Sequence, residues 1–256
     1  MGISPCPNDI FIFAGILLGA VRADGLSFQV QFEDVETLNQ RTQRGELDIA
    51  KISYANFIRC RGKYDLLHSG GALGRGVGPL LLSNEAPFDP EREVLSPGEF
   101  TTANFLLDFY LGRKVRKRYL PFDALYAELL ANRGAQGVVI HEKRFTYERD
   151  GLTLIQDLGE HWERKTGYAI PLGAIVCRKE IKDAFKVDNL IESSLAWSYE
   201  HHAEAFQLCR EHAQDLSPEV VQAHIDLYVN EFSMNLGREG REAVDFFLAR
   251  QQELLS

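Results

Sequence analysis

The first side chain able to exchange a proton after a predicted buried strand is His141. Gly137 is followed by three β-branched residues, Val138 to Ile140, and such a short apolar run is typical of a strand buried on both faces. Ligands of open α/β sheets bind beyond the carboxyl ends of the strands. An imidazole there could act as a general base on a bound substrate. A hydrogen-bonded structural histidine is the alternative, and this stretch alone leaves both interpretations open.

Two more polar segments stand at the ends of predicted elements. Lys51 to Ser53 closes a predicted strand that begins at Leu47, and Thr101-Thr102 precedes a predicted helix over Ala103 to Leu111. The first N–H groups of a helix can bind an anion, or a capping threonine can satisfy them. Simple capping is therefore the alternative to ligand binding at these threonines.

The elements that would hold these segments alternate between strands and helices. We predict strands over residues 27–32, 47–52, 78–83, 94–96, 137–140 and 152–158, and helices over 10–18, 34–45, 103–111, 122–133 and from 181 onward. Alternation of this kind predicts an α/β fold with mostly parallel sheets flanked by helices. We expect Asn8 or Asp9 to cap the first helix, and Ser217 to cap a helix that begins at Pro218.

Two apolar runs bracket the middle of the chain and indicate two crossings between domains. They are Gly78 to Ser83 and Tyr168 to Val176. A chain of 256 residues is long enough for two domains. We therefore expect a larger discontinuous α/β domain of residues 1–80 and 178–256, and a smaller inserted α/β domain of residues 81–177.

The composition excludes several classes of partner. A net charge of −9 disfavours nucleic acid and anionic membrane, because both require a basic surface. The four cysteines are far apart and form no C-x-x-C pair, which indicates reduced thiols of a cytoplasmic protein and no zinc site. The run Ile10 to Val21 is too short to span a bilayer and no basic residue precedes it, so we expect neither a signal peptide nor a membrane anchor.

The stretch Ser69 to Pro79 is the richest in glycine, and it could suggest a nucleotide-binding loop. It contains no G-x-G-x-x-G, and the Walker pattern fails because Val77 follows Gly76 where a lysine is required. We therefore predict that these glycines serve close backbone packing or a hinge, and not phosphate binding.

Several segments together give the chain a specific resemblance. It is similar to the 1,4-dihydroxy-6-naphthoate synthases of the futalosine route to menaquinone, and the segments that carry the similarity are residues 4–9 (SPCPND), 33–39, 51–55, 69–79, 101–103, 140–147 (IHEKRFTY), 171–175 and 228–233. The resemblance implies a two-lobed fold like that of type II periplasmic binding proteins, with the ligand in a cleft between the lobes. It also implies a small-molecule substrate, cyclic dehypoxanthine futalosine, which is split into dihydroxynaphthoate and a sugar-derived fragment with no metal or organic cofactor.

The resemblance also implies roles for particular residues. His141 matches the histidine proposed as the base of these enzymes, and the implied substrate-binding residues are Asn39, Lys51, Ile52, Ser53, Thr101, Thr102 and Ala103. The chain departs from the usual pattern at Ile10, at Phe100 and in its short segment before Ser4. Two alternatives remain at this stage: a solute-binding protein of the same fold without catalysis, and the related chorismate dehydratases, against which the Ile-His-Glu segment argues.

Overall fold

The computed structural model describes residues 1–85, 87–213 and 215–255. Its strands are β1 (Gly2–Ile3), β2 (Gln31–Phe32), β3 (Ile49–Ser53), β4 (Tyr64–Leu66), β5 (Ala72–Gly74), β6 (Leu80–Ser83), β7 (Val94–Ser96), β8 (Lys117–Tyr119), β9 (Gln136–Val139), β10 (Thr153–Asp157) and β11 (Ile170–Arg178). Its helices are α1 (Pro7–Leu17), α2 (Val35–Arg44), α3 (Tyr54–Cys60), α4 (Thr102–Leu111), α5 (Phe122–Ala131), α6 (Leu158–Thr166), α7 (Ala184–Glu200), α8 (His202–His212), α9 (Pro218–Tyr228), α10 (Glu231–Met234) and α11 (Gly237–Leu255), with a 3₁₀ helix over His141–Phe145.

The strands form two sheets, each flanked by helices, and each sheet with its helices is called a lobe below. The first lobe has the strand order β2-β1-β3-β11-β4, with β5 also paired to β11, and the second has the order β10-β6-β9-β7-β8. The prediction of an α/β fold with two lobes is confirmed. The expectation of mostly parallel sheets is corrected, because both sheets are mixed. In the first, β11 runs antiparallel to β3, β4 and β5, and in the second, β6 runs antiparallel to β9 and β10.

The long strand β11 brings the chain back to the first lobe. It pairs with β3 in a register that sets Gly173 opposite Ser53 and Ile175 opposite Lys51. Residues 170–178 thus belong to the sheet of the first lobe. The division into domains of residues 1–80 with 178–256 and of residues 81–177 stays a prediction.

The residue at which the first helix begins determines which polar side chains are free to face the cleft. Cys6 is the N-cap of α1 and Pro7 is its first residue, so the expected cap at Asn8 or Asp9 is wrong. Proline suits the first position of a helix, because the N–H that it lacks would be unpaired there in any case. The helix therefore begins at Pro7, before the residues that were expected to cap it. The buried side chains of Asn8 and Asp9 are therefore not needed as caps.

Other predicted elements agree with the structure to within a few residues. Thr101 caps α4 by accepting a hydrogen bond from the backbone N–H of Asn104 at 3.1 Å, and Ser217 caps α9 as predicted. The predicted strand over residues 27–32 is shortened to Gln31–Phe32, both of which are exposed. Two residues at the sheet edge have little apolar surface to bury, which limits the strand.

The glycine-rich stretch is used for close packing. At Gly78, a Cβ atom would lie 2.2 Å from the Cα of Gly159, at the start of α6. No side chain fits at that distance, so the two backbones can touch only because both residues are glycine.

Within the part of the chain that the structure describes, no helix combines the length and the apolar character that are needed to span a bilayer.

Candidate active site

A cavity with a volume of about 100 Å³ lies between the two sheets. It contains every site residue expected from the sequence except Asn39, and its walls are formed by Ser4, Asn8, Asp9, Val35, Lys51, Ile52, Ser53, Ala72, Val77, Pro79, Thr101, Thr102, Ala103, Ile140, His141, Leu172, Gly173, His224 and Tyr228. Apolar walls with a few convergent polar groups are typical of small-molecule sites.

His141 reaches the cavity through an unusual backbone conformation. It is the first residue of the 3₁₀ helix after β9, and its φ of 58° is left-handed. A residue with a Cβ atom in this region costs about 1–3 kcal/mol, and such residues are concentrated at functional sites. The ring of Phe122 stands edge-on at 5.2 Å. The backbone and this ring together fix the direction of the imidazole.

The Nδ1 atom of His141 lies 3.5 Å from the Sγ atom of Cys6, in the other lobe. Burial lowers the pKa of His141, but the Cys6 sulfur, and then Glu142 and Asp9, outweigh it and raise the pKa to about 9. Among the described residues, Cys6 is the hydrogen-bonding partner of this ring, which leaves Nε2 for a ligand. At neutral pH the imidazole therefore carries a proton.

A second histidine, His224 of α9, stacks against His141 with the ring centroids 6.2 Å apart. Its Nε2 lies 3.1 Å from Oδ1 of Asn8, and the amide nitrogen of Asn8 donates to Asp9 at 2.9 Å. Because that amide presents its oxygen to His224, Nε2 carries the hydrogen. Burial, and then the charge of His141, lower the pKa of His224 well below its ordinary value. His224 is therefore neutral, and its Nδ1 is an acceptor with no partner among the described residues.

A buried ion pair forms the floor of the cavity. Nζ of Lys51 lies 2.9 Å from Oδ1 of Asp9 and donates to the carbonyl oxygen of Gly70 at 2.8 Å. The hydroxyl of Ser4 donates to Oδ2 of Asp9 at 2.7 Å. At Gly173, a Cβ atom would lie 2.7 Å from Cε of Lys51, so a glycine there leaves the space that the lysine occupies. Lys51 is thus committed to holding Asp9 and is not a free cation for the substrate.

Ser53 keeps a hydroxyl available at the end of β3. The side chain of Asn39 accepts from the backbone N–H of Ser53 at 2.9 Å and donates to its Oγ at 3.3 Å. Asn39 does not line the cavity and instead supports Ser53 from behind. The Ser53 hydroxyl accepts one bond from Asn39 and can donate its own hydrogen to a ligand.

The two threonines at the start of α4 use their hydroxyl hydrogens within the protein. The Thr101 hydroxyl donates to the carbonyl oxygen of Gly98 at 2.9 Å, and that of Thr102 donates to the carbonyl oxygen of Leu172 at 3.1 Å. Neither hydroxyl has a hydrogen left for a ligand. The backbone N–H groups of Thr102 and Ala103 begin the helix ahead of the capped N–H, and such groups bind anions.

The cavity therefore combines a strained histidine, a neutral histidine, a serine donor and a helix N-terminus. This set can bind a carboxylate, hold hydroxyl groups and move a proton. In the described part of the chain, no group of three or more His, Cys, Asp or Glu side chains is arranged to hold a metal ion.

Five residues that shape the site were not predicted from the sequence: Cys6, Asn8, Asp9, His224 and Tyr228. The first three belong to the segment SPCPND, whose turn residues concealed their role because the helix begins earlier than expected. His224 and Tyr228 are four residues apart on α9 and face the cavity together. That spacing is equally typical of an ordinary buried helix face, so it gave no separate signal.

The two lobes and the cavity between them place this chain in the periplasmic-binding-protein fold class. The alkanesulfonate-binding protein of Xanthomonas axonopodis superimposes with a TM-score of 0.67 at 14% identity, covering 98% of this chain and 92% of that one. A crystal structure of an Archaeoglobus fulgidus protein gives a TM-score of 0.90 at 26% identity, covering 99% and 97%. The expected two-lobed fold of this type is thereby confirmed.

Within this class, the chain belongs to the menaquinone biosynthesis family, whose model matches residues 1–253. A 1,4-dihydroxy-6-naphthoate synthase of Thermus thermophilus is 41% identical over 252 residues, which is 95% of this chain and 90% of the relative. A protein of the same name from Streptomyces coelicolor is 38% identical over 255 residues, covering 96% and 90%. The family resemblance seen in the sequence is confirmed.

Proposed function

We propose that this protein is a carbon–carbon lyase that splits cyclic dehypoxanthine futalosine into 1,4-dihydroxy-6-naphthoate and a sugar-derived fragment. The observation that carries the proposal is His141, held in a strained conformation against the interlobe cavity. Two relatives of this chain, at 41% and 38% identity, are named as synthases of that naphthoate, which supports the same reaction here.

His141 is the general base of the proposed reaction. Nε2 takes the proton of a substrate hydroxyl, the O–H electrons form a carbonyl group, and the adjacent C–C bond breaks. The electrons of that bond move into the ring system, which becomes aromatic. Because Nδ1 already contacts Cys6, the imidazole presents its other nitrogen to the hydroxyl.

The substrate carboxylate binds at the start of α4. The backbone N–H groups of Thr102 and Ala103, together with the positive end of the helix dipole, suit a carboxylate better than a threonine hydroxyl would. Ile52 and Leu172 supply apolar surface for a fused ring, and Ser53 donates to a substrate oxygen. Lys51 and Asn39 act through Asp9 and Ser53, which they hold in place.

Two alternatives predict different behaviour. A solute-binding protein would bind a ligand and release it unchanged, and a chorismate dehydratase would act on a different acid. The names of the relatives favour the synthase over both. The four unpaired cysteines support a cytoplasmic location, where thiols stay reduced. We further propose that the lobes correspond to the predicted domains except for residues 170–177, which pair with the sheet of the first lobe, and that the hinge lies near β6 and β11.

The test is incubation of the purified protein with cyclic dehypoxanthine futalosine, followed by detection of the naphthoate by fluorescence and mass spectrometry. We expect product from the wild type and from His68→Asn, a control at an exposed histidine. His141→Asn should give almost none. Recovery of unchanged substrate from the folded wild-type protein would contradict the proposed reaction, and turnover of chorismate instead would support the dehydratase.

A further inference from the structure

The sulfur of Cys6 makes a contact that the proposed reaction does not by itself require. Its Sγ lies 3.5 Å from Nδ1 of His141, across the gap between the lobes. Cys6 is the one cysteine with partial exposure, whereas Cys60, Cys177 and Cys209 are buried. A sulfur atom this close to a titratable ring influences the orientation and the protonation of that ring.

The backbone on both sides fixes this contact. The backbone N–H of Cys6 donates to the hydroxyl of Ser4 at 3.3 Å, and its carbonyl oxygen accepts from the N–H groups of Asp9 and Ile10 at 3.0 Å each. On the other side, the left-handed conformation directs the ring of His141 toward α1. The main chain of each lobe therefore holds the backbone of its own residue at the place where the sulfur and Nδ1 meet.

We propose that Cys6 is a positioning residue for His141: its sulfur accepts the hydrogen of Nδ1, which fixes the ring and leaves Nε2 as the nitrogen that meets the substrate. The role of Nε2 rests on the proposed function, whereas the contact between Cys6 and His141 does not. No bond is made or broken at the sulfur. Its effect is on the orientation of the ring and on its proton.

The charges that face the ring come from three elements. Cys6 and Asp9 face it from α1 and the residue before it, His224 faces it from α9, and Glu142 lies on its own 3₁₀ helix. Phe122 of α5 is uncharged. The neutral His224 adds no positive charge, so the sulfur is the nearest group that favours a protonated ring. After removal of the sulfur, burial should be the main influence on the pKa of His141. Burial favours the neutral ring and so lowers that pKa.

The first test uses the empty protein, so that it does not depend on the substrate. The ring nitrogens of His141 are followed by NMR in protein labelled at histidine, from about pH 5 to 10.5. We expect a midpoint near 9 in the wild type and in Cys60→Ala, a control that removes a distant thiol. In Cys6→Ala the midpoint should fall by about one pH unit or more. An unchanged midpoint in Cys6→Ala would overturn the proposal.

The second test compares the kinetics of Cys6→Ala and Cys6→Ser. The serine hydroxyl can still accept from Nδ1, so Cys6→Ser should keep more of the plateau rate than Cys6→Ala. We expect kcat of Cys6→Ala at the pH plateau to fall by up to about 100-fold with KM nearly unchanged, and the acid limb to move to lower pH. Equal plateau rates in the wild type and both variants would contradict a positioning role.

The two proposals fail in different ways. If the midpoint of His141 shifts in Cys6→Ala but His141→Asn retains full turnover, the contact is real and the base assignment is wrong. If His141→Asn is inactive but Cys6→Ala leaves both the midpoint and the rate unchanged, the base assignment stands and the positioning role is wrong.

Discussion

Nζ of Lys51 lies 2.9 Å from Oδ1 of Asp9, and only 6% and 3% of their side chains are exposed. The pair joins the middle of the central strand β3 to the first turn of α1, so it connects two of the elements that form the cavity. Further hydrogen bonds from Ser4, from Asn8 and to Gly70 satisfy both charged groups. A pair satisfied in this way is stable only while both partners are present.

Removal of one partner should therefore destabilise the protein strongly. We expect Lys51→Met to lower the free energy of unfolding by about 3–5 kcal/mol, because it leaves the Asp9 carboxylate buried without a counter-charge. Asp9→Asn should also destabilise the protein, because it leaves the Lys51 ammonium group buried without a counter-charge. The double variant Asp9→Asn/Lys51→Met should lose much less than the sum of the single losses, as measured by chemical denaturation.

The control for this cycle is an exposed pair of similar length. Arg238 and Glu242 are 2.7 Å apart, with 89% and 51% of their side chains exposed. Their coupling free energy should be about 1 kcal/mol or less. Equal coupling in both cycles would show that the Lys51–Asp9 pair does not hold the floor of the cavity.

The hydroxyls of Ser53 and Thr102 should respond differently to removal. Ser53→Ala should weaken binding of a product analogue by about 0.5–1.5 kcal/mol, or by up to about 3 if the ligand group is charged, with little change in stability. Thr102→Val should instead lower stability by about 1–3 kcal/mol, because the bonds to Leu172 and from the N–H of Ala55 are lost. Calorimetric binding and thermal unfolding measure the two effects. The reverse pattern would contradict the assignments.

A third prediction concerns Glu36, which accepts from the backbone N–H of Phe100 at 3.2 Å and so joins the two lobes. Burial raises its pKa above its ordinary value. The charged form of Glu36 is therefore disfavoured in the folded state. The stability that the protonated carboxyl contributes is lost as the pH rises through the pKa of the folded state. Glu36→Gln should raise the melting temperature at neutral pH, since an amide oxygen can still accept from Phe100.

That gain should shrink as the pH falls, because the wild-type carboxyl then becomes protonated. Glu192→Gln is the control, as it removes the same charge from an exposed helix position. A gain for Glu36→Gln that is constant across the acid range, or equal to that of Glu192→Gln, would exclude burial of the charge as its cause.

Local patterns predicted most of the longer elements of the fold, because these depend on short stretches of chain, but they did not predict β4, β5, β8, α3 or α6. The β-branched run Val138 to Ile140 predicted β9 and placed His141 just beyond it. Ser217 was predicted as the cap of α9, and Thr101 was one of the two threonines predicted to cap α4. The direction of pairing could not be predicted in this way. Whether β11 returns parallel or antiparallel depends on contacts with strands more than a hundred residues earlier.

The candidate site was predicted only in part, because it too depends on contacts between residues that are far apart in the chain. The resemblance supplied His141 and most of the cavity wall, but it could not show which hydroxyls were already bonded. The hydrogen of Thr102 is used by Leu172, a residue 70 positions away. His224 was missed because a lone histidine on an apolar helix face is usually part of the core, and its neighbours Asn8 and His141 become visible only after folding.

The pH dependence of the reaction should reflect the raised pKa of His141. A general base must be neutral, so kcat/KM should rise with pH and reach its plateau above an inflection near 9, and not near the ordinary value of 6.5. The same shift affects stability. Relative to His141→Asn, the wild type should gain stability at acid pH and lose that gain as the pH rises through 9. An inflection at or below 6.5 would contradict this environment for the ring.

The most direct test is the turnover of His141→Asn at saturating substrate, with binding measured separately. An amide can keep a hydrogen bond but cannot take up a proton, so turnover is compared above pH 9, where the wild-type imidazole is neutral. We predict that kcat falls by about 10²–10⁴-fold, while the dissociation constant for a product analogue changes little because Ser53 and the start of α4 remain. Wild-type turnover in His141→Asn would show that another group removes the proton and that the central claim is wrong.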